Sequence, residues 1–145
     1  MKSIKRLAFD YAIWAHRGQL DDSGKDYFKA HCTMVAHLLD KLGCDDEVVA
    51  AGYLHDTVED TQVTERDLRV LFGDRVADLV MEVTHEGQKD NYGYWFPNLK
   101  SKDGIIIKLA DRMSNLSRMS PWPEKRREQY LRKTKFWNSE GPSCE

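Results

Sequence analysis

The stretch Asp45-Asp-Glu-Val-Val-Ala-Ala-Gly-Tyr-Leu-His-Asp-Thr-Val-Glu-Asp60 decides how this chain reads. Asp45 is the kind of residue that accepts hydrogen bonds from the open amides of a helix start, and a helix is expected from there to about Val58. Its apolar run, Val48 to Leu54, is the longest in the chain. That run is far short of the roughly 20 apolar residues a membrane span needs.

Helical spacing continues on both sides. Ile4, Leu7, Ala8, Tyr11, Ala12 and Ala15 recur on one face, predicting a first helix over residues 3 to 17. A turn follows at Asp21-Asp22-Ser23-Gly24. A second helix is expected from about His31 to Leu42, with Gly43 as its stop. Thr64 with Asp67 resembles a capping box and opens a short helix that ends at Gly73. Val76, Leu79, Val80 and Val83 mark another over residues 74 to 85. Ile105 to Met119 is helical again, and Pro121 and Pro123 separate it from a last helix over about Glu124 to Trp137. Residues 86 to 101 are the least regular, and whether they form a lid is open. No segment alternates with period two, so the fold class is all-α. Residues 1–138 are read as a single domain and 139–145 as a disordered tail.

Composition narrows the function. The 145 residues carry 22 Lys+Arg against 24 Asp+Glu, with 41% hydrophobic and 32% charged residues. This is a globular composition with a core, and near-neutrality argues against a nucleic-acid coat or membrane-surface protein. No secretory signal is read at the start, and Cys32, Cys44 and Cys144 form no CxxC pair, so a reduced, cytoplasmic chain is expected. The charge is unevenly spread. Residues 40 to 82 hold twelve acids and four bases, whereas 118 to 135 hold seven bases and two acids.

The acidic part ends in His55-Asp-Thr-Val-Glu-Asp60. On a continuous helix His55 stacks on Glu59 and Asp56 on Asp60, crowding three carboxylates and an imidazole at one end. A divalent transition metal would relieve their repulsion, and a solvated acidic helix end is the alternative. His31 alone fits a helix cap or core position as well as a metal ligand. Asp111 interrupts the apolar run Ile105-Ile-Ile-Lys-Leu-Ala, and a carboxylate there needs either a metal or a basic partner such as Lys108 or Arg112. One metal held by His31, His55, Asp56 and Asp111 accounts for all three observations.

The order H…HD…D is that of HD-domain phosphohydrolases. The chain resembles the small hydrolases of the RelA/SpoT family, which remove the 3′-pyrophosphate of (p)ppGpp. The resemblance rests on Ala15-His16-Arg17-Gly18-Gln19, Ser23-Gly24, Tyr27, His31, HDTVED at 55–60 and Lys108-Leu-Ala-Asp-Arg-Met-Ser-Asn115, and it spans about residues 4 to 119. It implies a compact helical bundle of the HD-domain superfamily and a Mn²⁺-dependent hydrolase. The metal ligands it implies are His31, His55, Asp56 and Asp111. Glu59 and Asp60 match the acidic pair that orients or deprotonates the attacking water. Lys108 and Asn115 match residues near the nucleotide; Tyr27 belongs to a matching motif, and Lys25 and Arg112 are available for phosphate charge. His16 reads as a helix-end residue or a neighbour of the site rather than a ligand. With no room for a synthetase domain, the chain is expected only to degrade (p)ppGpp.

Three features depart from the family pattern. Asp21-Asp22 stands where bases usually precede Ser-Gly, one residue is added between Gly24 and His31, and Asp26 and Cys32 replace prolines. Residues 88 to 99 are also rich in aromatics, and Tyr92, Tyr94 and Trp95 either stack on a base or pack on the core. The substrate is therefore left open between (p)ppGpp and another nucleotide, such as the 2′-phosphate of NADPH. A non-catalytic nucleotide or nucleic-acid binding module is the third reading, ranked last because all four ligand positions are intact. No membrane association is expected, and a homo-oligomer is left open.

Overall fold

A computed structural model describes residues 2–84, 89–90, 93–94 and 99–133. Eight α-helices are present among them: α1 (Ile4–Ala15), α2 (Thr33–Lys41), α3 (Asp46–Leu54), α4 (Thr57–Asp60), α5 (Glu65–Phe72), α6 (Asp74–Val83), α7 (Lys102–Leu116) and α8 (Glu124–Lys133). The all-α reading holds. The strands among the described residues are two-residue pieces, β1 (Lys89–Asp90) and β2 (Gly93–Tyr94), paired antiparallel with Lys89 opposite Tyr94.

The helix starts follow the side chains expected to make them. Asp45 accepts from the amides of Glu47 and Val48, both at 3.1 Å. Thr64 and Asp67 form a complete capping box. Each satisfies amides that a helix start leaves open. Gly43 ends α2 at φ +80°, a backbone region that favours glycine, and its amide bonds back to the Asp40 carbonyl.

α3 lies at the centre, packed against α1, α2, α6 and α7. Val48, Val49, Ala50, Ala51, Gly52 and Leu54 are all buried, so this helix is enclosed on nearly every side. Gly52 marks the closest approach to α2, because a Cβ there would sit 2.5 Å from Leu39 Cδ1. The core continues through Val35 and Leu39 of α2, Leu68 of α5, Val76 and Val80 of α6 and Ile107 of α7.

Two local differences from the sequence reading bear on the site. The third helix does not run unbroken to Val58. α3 stops at Leu54, Asp56 takes φ −102° and ψ 1°, and α4 is a single turn. The Thr57 hydroxyl bonds the Leu54 carbonyl at 2.7 Å, closing the end of α3. The second helix does not begin at His31 either; a π-helical turn over Phe28–Cys32 leads into α2. A π turn holds one more residue than an α turn of the same backbone loop, which is how an added residue is absorbed without shifting the rest of the helix. It lies on the segment where one extra residue was noted, and His31 is on it. The expectations for the side chains of Tyr92, Tyr94 and Trp95, the end of the last helix beyond 133 and the 139–145 tail fall outside the described residues.

Candidate metal centre

His31 comes from the π turn, His55 and Asp56 from the break between α3 and α4, and Asp111 from the middle of α7. The fold brings one ligand atom from each within 4.8 Å of all the others. His31 Nε2 lies 3.0 Å from Asp111 Oδ1 and 3.3 Å from Asp56 Oδ2. His55 Nε2 lies 3.1 Å from Asp56 Oδ2 and 3.3 Å from Asp111 Oδ1, and the two Nε2 atoms are 3.1 Å apart. Nitrogen and oxygen ligands bound at about 2.0 to 2.2 Å sit about 3 Å from their neighbours around one ion. The spacing therefore fits a single divalent metal.

The outer contacts fit it too. Metal-binding histidines usually use one ring nitrogen on the ion and fix the ring with the other. His31 Nδ1 meets Ser114 Oγ at 2.8 Å, and His55 Nδ1 donates to the Gly52 carbonyl at 2.8 Å. Both Nε2 atoms are thereby turned to the same point. Asp111 turns Oδ1 to the histidines and Oδ2 to Lys108 Nζ at 3.1 Å. The Tyr27 hydroxyl donates to Asp56 Oδ2 at 2.6 Å. Asp111 thus has both the basic partner and the clustered ligands that its place in an apolar run required.

Burial sharpens the charge pattern. His31 and His55 are 0% and 2% exposed, and the Asp56 and Asp111 side chains 15% and 9%. Burial alone would raise both carboxyl pKa values. For Asp56 the two histidines outweigh it, and for Asp111 Lys108 does so first, holding each well below the ordinary range. Burial alone would lower His55, but Asp56 and Asp111 hold it well above 6.5. A divalent metal held by these four side chains would meet the negative charge of the two carboxylates directly.

Glu59 and Asp60 lie on α4, immediately beyond the ligands, and both are exposed. Burial of part of its carboxyl, reinforced by Asp56 and Glu59, pushes Asp60 up to about 7. Asn115 Nδ2 is 3.3 Å from Asp111 Oδ1 and 2.8 Å from the Tyr130 hydroxyl. Lys108 is buried at 3% exposure with its ammonium committed to Asp111. Arg112, also 3% exposed, lies against the Tyr130 ring at 4.9 Å. Lys25 is exposed and lines a groove of about 820 Å³ between residues 21–34 and 117–121. None of the four ligands lines that groove. Arg118 on its wall reaches the centre indirectly, donating to Asn115 Oδ1 at 2.8 Å.

Sequence reasoning did not single out Ser114, Arg118 or Tyr130 as parts of this centre. Ser114 had a signal, since it sits three residues after Asp111, on the neighbouring helical face. Tyr130 had none, because its contact depends on how α8 packs, whereas Arg118 meets Asn115 only three residues away.

This helical fold carries a His/Asp cluster with the spacing of a single-metal site. The chain belongs to the HD domain family, whose pattern matches residues 8–93. Among its relatives, a Synechocystis protein named probable guanosine-3′,5′-bis(diphosphate) 3′-pyrophosphohydrolase is 36% identical over 139 residues, covering 88% of this chain and 18% of that protein. The bifunctional (p)ppGpp synthase/hydrolase SpoT of Escherichia coli is 37% identical over 138 residues, with 86% and 20% covered. The chain thus spans about a fifth of the length of these relatives. A solved structure of a metazoan SpoT ortholog, described as hydrolysing ppGpp, aligns with TM-score 0.75 at 28% identity, covering 90% of this chain and 81% of that one.

Proposed function

We propose that the chain hydrolyses (p)ppGpp to GDP or GTP and pyrophosphate, with Mn²⁺ held by His31, His55, Asp56 and Asp111. The observation that carries this reading is the meeting of those four side chains beside the Glu59–Asp60 pair, in a domain some of whose relatives are named for (p)ppGpp hydrolysis. The bound metal supplies Lewis-acid charge to the phosphoryl group and makes a water easier to deprotonate. The remaining work falls to the chain. Asp60 accepts the proton of the attacking water, and Glu59 holds that water in line. Tyr27 fixes Asp56, and Lys108 fixes Asp111. Lys25 offers an exposed cation to phosphate groups lying in the 820 Å³ groove, and Asn115 and Arg112 complete the nucleotide side. No helix among the described residues is long and apolar enough to cross a membrane. That is consistent with a cytoplasmic enzyme whose substrate is a small nucleotide.

Purified protein supplied with Mn²⁺ releases pyrophosphate from ppGpp, and Asp56→Ala abolishes the release. No turnover with any divalent metal would sink the substrate assignment. A second reading follows from Asp21-Asp22 standing where the family pattern has bases. Under that reading the centre removes the 2′-phosphate of NADPH. A nucleotide panel scored for phosphate against pyrophosphate separates the two.

A further inference from the structure

Asn115 is held at both ends of its side-chain amide. Arg118 Nη2 donates to its Oδ1 at 2.8 Å, and its Nδ2 lies 2.8 Å from the Tyr130 hydroxyl and 3.3 Å from Asp111 Oδ1. A guanidinium has no acceptor and an ionised carboxylate no donor, so the two ends agree on one orientation of the amide. Flipped, it would set an NH₂ group against Arg118 and a carbonyl against Asp111. The oxygen of Asp111 that receives the Asn115 proton is the one turned to His31 and His55. Asn115 therefore braces the side of Asp111 that faces the other three ligands.

What orients Asn115 is less local than what places it. Asn115 stands one helical turn after Asp111 on α7, so spacing alone brings the two together. Arg118 lies beyond the end of α7, where its amide makes a turn bond to the Asn115 carbonyl at 3.1 Å. A side chain this long has many rotamers, and holding one of them costs conformational freedom. Asp21 supplies the anchor, with its Oδ2 3.2 Å from Arg118 Nη1. Asp21 is itself 5% exposed, and its other oxygen is bound to the amides of Ser23 and Lys25, so it does not swing away without opening the turn. Arg118 Nε is buried with no partner among the described residues, so the Nη contacts set where the guanidinium lies.

We infer that Arg118, anchored by Asp21, is a positioning residue that orients the Asn115 amide so that its Nδ2 donates to the metal-facing oxygen of Asp111. The inference rests on the reading of Asp111 as a metal ligand. Three side-chain contacts in series connect the groove wall to the metal centre: Asp21 to Arg118, Arg118 to Asn115, and Asn115 to Asp111. An ion pair that only stapled the turn would contribute stability and leave metal affinity where it was.

The test is a double-variant cycle read by Co²⁺ absorption titration. Asn115→Leu removes the contact to Asp111 at similar bulk. Arg118→Met keeps much of the side-chain length and removes both Nη contacts. Each lowers Co²⁺ affinity by about 10-fold, the lower end for a partner of a metal ligand. Because Arg118 acts through Asn115, the combined variant loses no more than Asn115→Leu alone. Asp21→Asn joined to Arg118→Met keeps an acceptor for the turn and strands no charge, which preserves the fold should Arg118→Met lose it; this pair shows the same loss of affinity. Unchanged affinity in that pair overturns the inference, as do losses that multiply to about 100-fold when Asn115→Leu and Arg118→Met are combined. Hydrogen exchange of the Asn115 side-chain amide in the metal-free protein is the second readout. Its protons are protected in the wild type and exchange freely in Arg118→Met, and equal exchange in the two also overturns the inference. Should the wild type bind no divalent metal, the reading of Asp111 as a ligand fails by itself. The exchange measurement then decides whether Arg118 orients Asn115.

Discussion

Arg118 Nη1 lies 3.2 Å from Asp21 Oδ2, joining residues 97 apart in sequence: the turn after α1 and the C-terminal end of α7. The Asp21 side chain is 5% exposed and that of Arg118 19%. The other oxygen of Asp21 accepts from the amides of Ser23 and Lys25 and from the Ser23 hydroxyl, so it also builds the turn. Next to it, Asp22 meets Arg126 at 2.9 Å, with both side chains 51% exposed. The acids that stand where the RelA/SpoT pattern has bases are thus each matched by a cation from the basic C-terminal part. The charge excesses of the two regions meet here.

These neighbours should behave differently on substitution. Asp21→Ala strands a largely buried guanidinium and opens the turn, an expected loss of about 2 to 4 kcal/mol. For a chain of this size that lowers Tm by roughly 5 to 15 °C. Asp22→Ala breaks an exposed pair worth about 0 to 1 kcal/mol. Thermal melts of the two variants check this, and equal small shifts would show that Asp21 is not a structural residue.

Gly52 couples packing to the metal centre. Its carbonyl holds His55 Nδ1, and its missing side chain admits Leu39. Leu39 is fully buried, so any shift of its side chain is felt by the close-packed core around it. Gly52→Ala should therefore cost about 1 to 3 kcal/mol through overpacking. It should also lower metal affinity by displacing the carbonyl that aims His55. Calorimetric titration of the refolded variant with Mn²⁺ tests the second effect, and unchanged affinity at reduced stability would dissociate the two roles.

Ser114→Ala isolates the outer contact of His31. The serine is buried, and its loss removes a single hydroxyl. Metal affinity should fall by about 10- to 100-fold with the fold retained. Co²⁺ absorption titrations, read beside circular dichroism, would show whether the loss is confined to the metal.

Most of the helical frame was legible because each helix carries its own cues. Asp45, Thr64 and Gly43 act on adjacent residues, and the apolar spacing of 74–83 needs only one buried face. The four ligands were legible as residue types, with the family resemblance joining them. What stayed hidden depended on backbone departures or distant contacts. The continuous helix expected through Val58 is interrupted at Asp56, whose φ of −102° and ψ of 1° begin a separate turn. The π turn under His31 has no composition cue, although the additional residue marks its place. Arg118 read only as one of the seven bases between residues 118 and 135, because nothing local pairs it with Asp21.

The pH dependence of stability provides a last test, through His16. Its folded pKa is lowered by burial, with Gln19 offsetting part of the shift, while the unfolded chain titrates near 6.5. Above pH 6.5 the ring is neutral in both states, and its contribution to stability is complete. As pH falls below 6.5 the unfolded chain takes up a proton that the folded site refuses, so stability drops until the folded pKa is passed. Asp60 works in the opposite sense, because its folded value of about 7 lies above the unfolded 3.8 and favours the fold on acidification. The ligand cluster adds its own titrations. Comparing wild type with His16→Gln, both freed of metal, removes these shared terms. Below pH 6.5 the wild type should lose stability relative to the variant by up to about 1.4 kcal/mol per pH unit. Urea unfolding at pH 7.5, 6.5 and 5.5 measures the difference. A gap that stays constant across the series would mean that His16 is not held neutral by the fold.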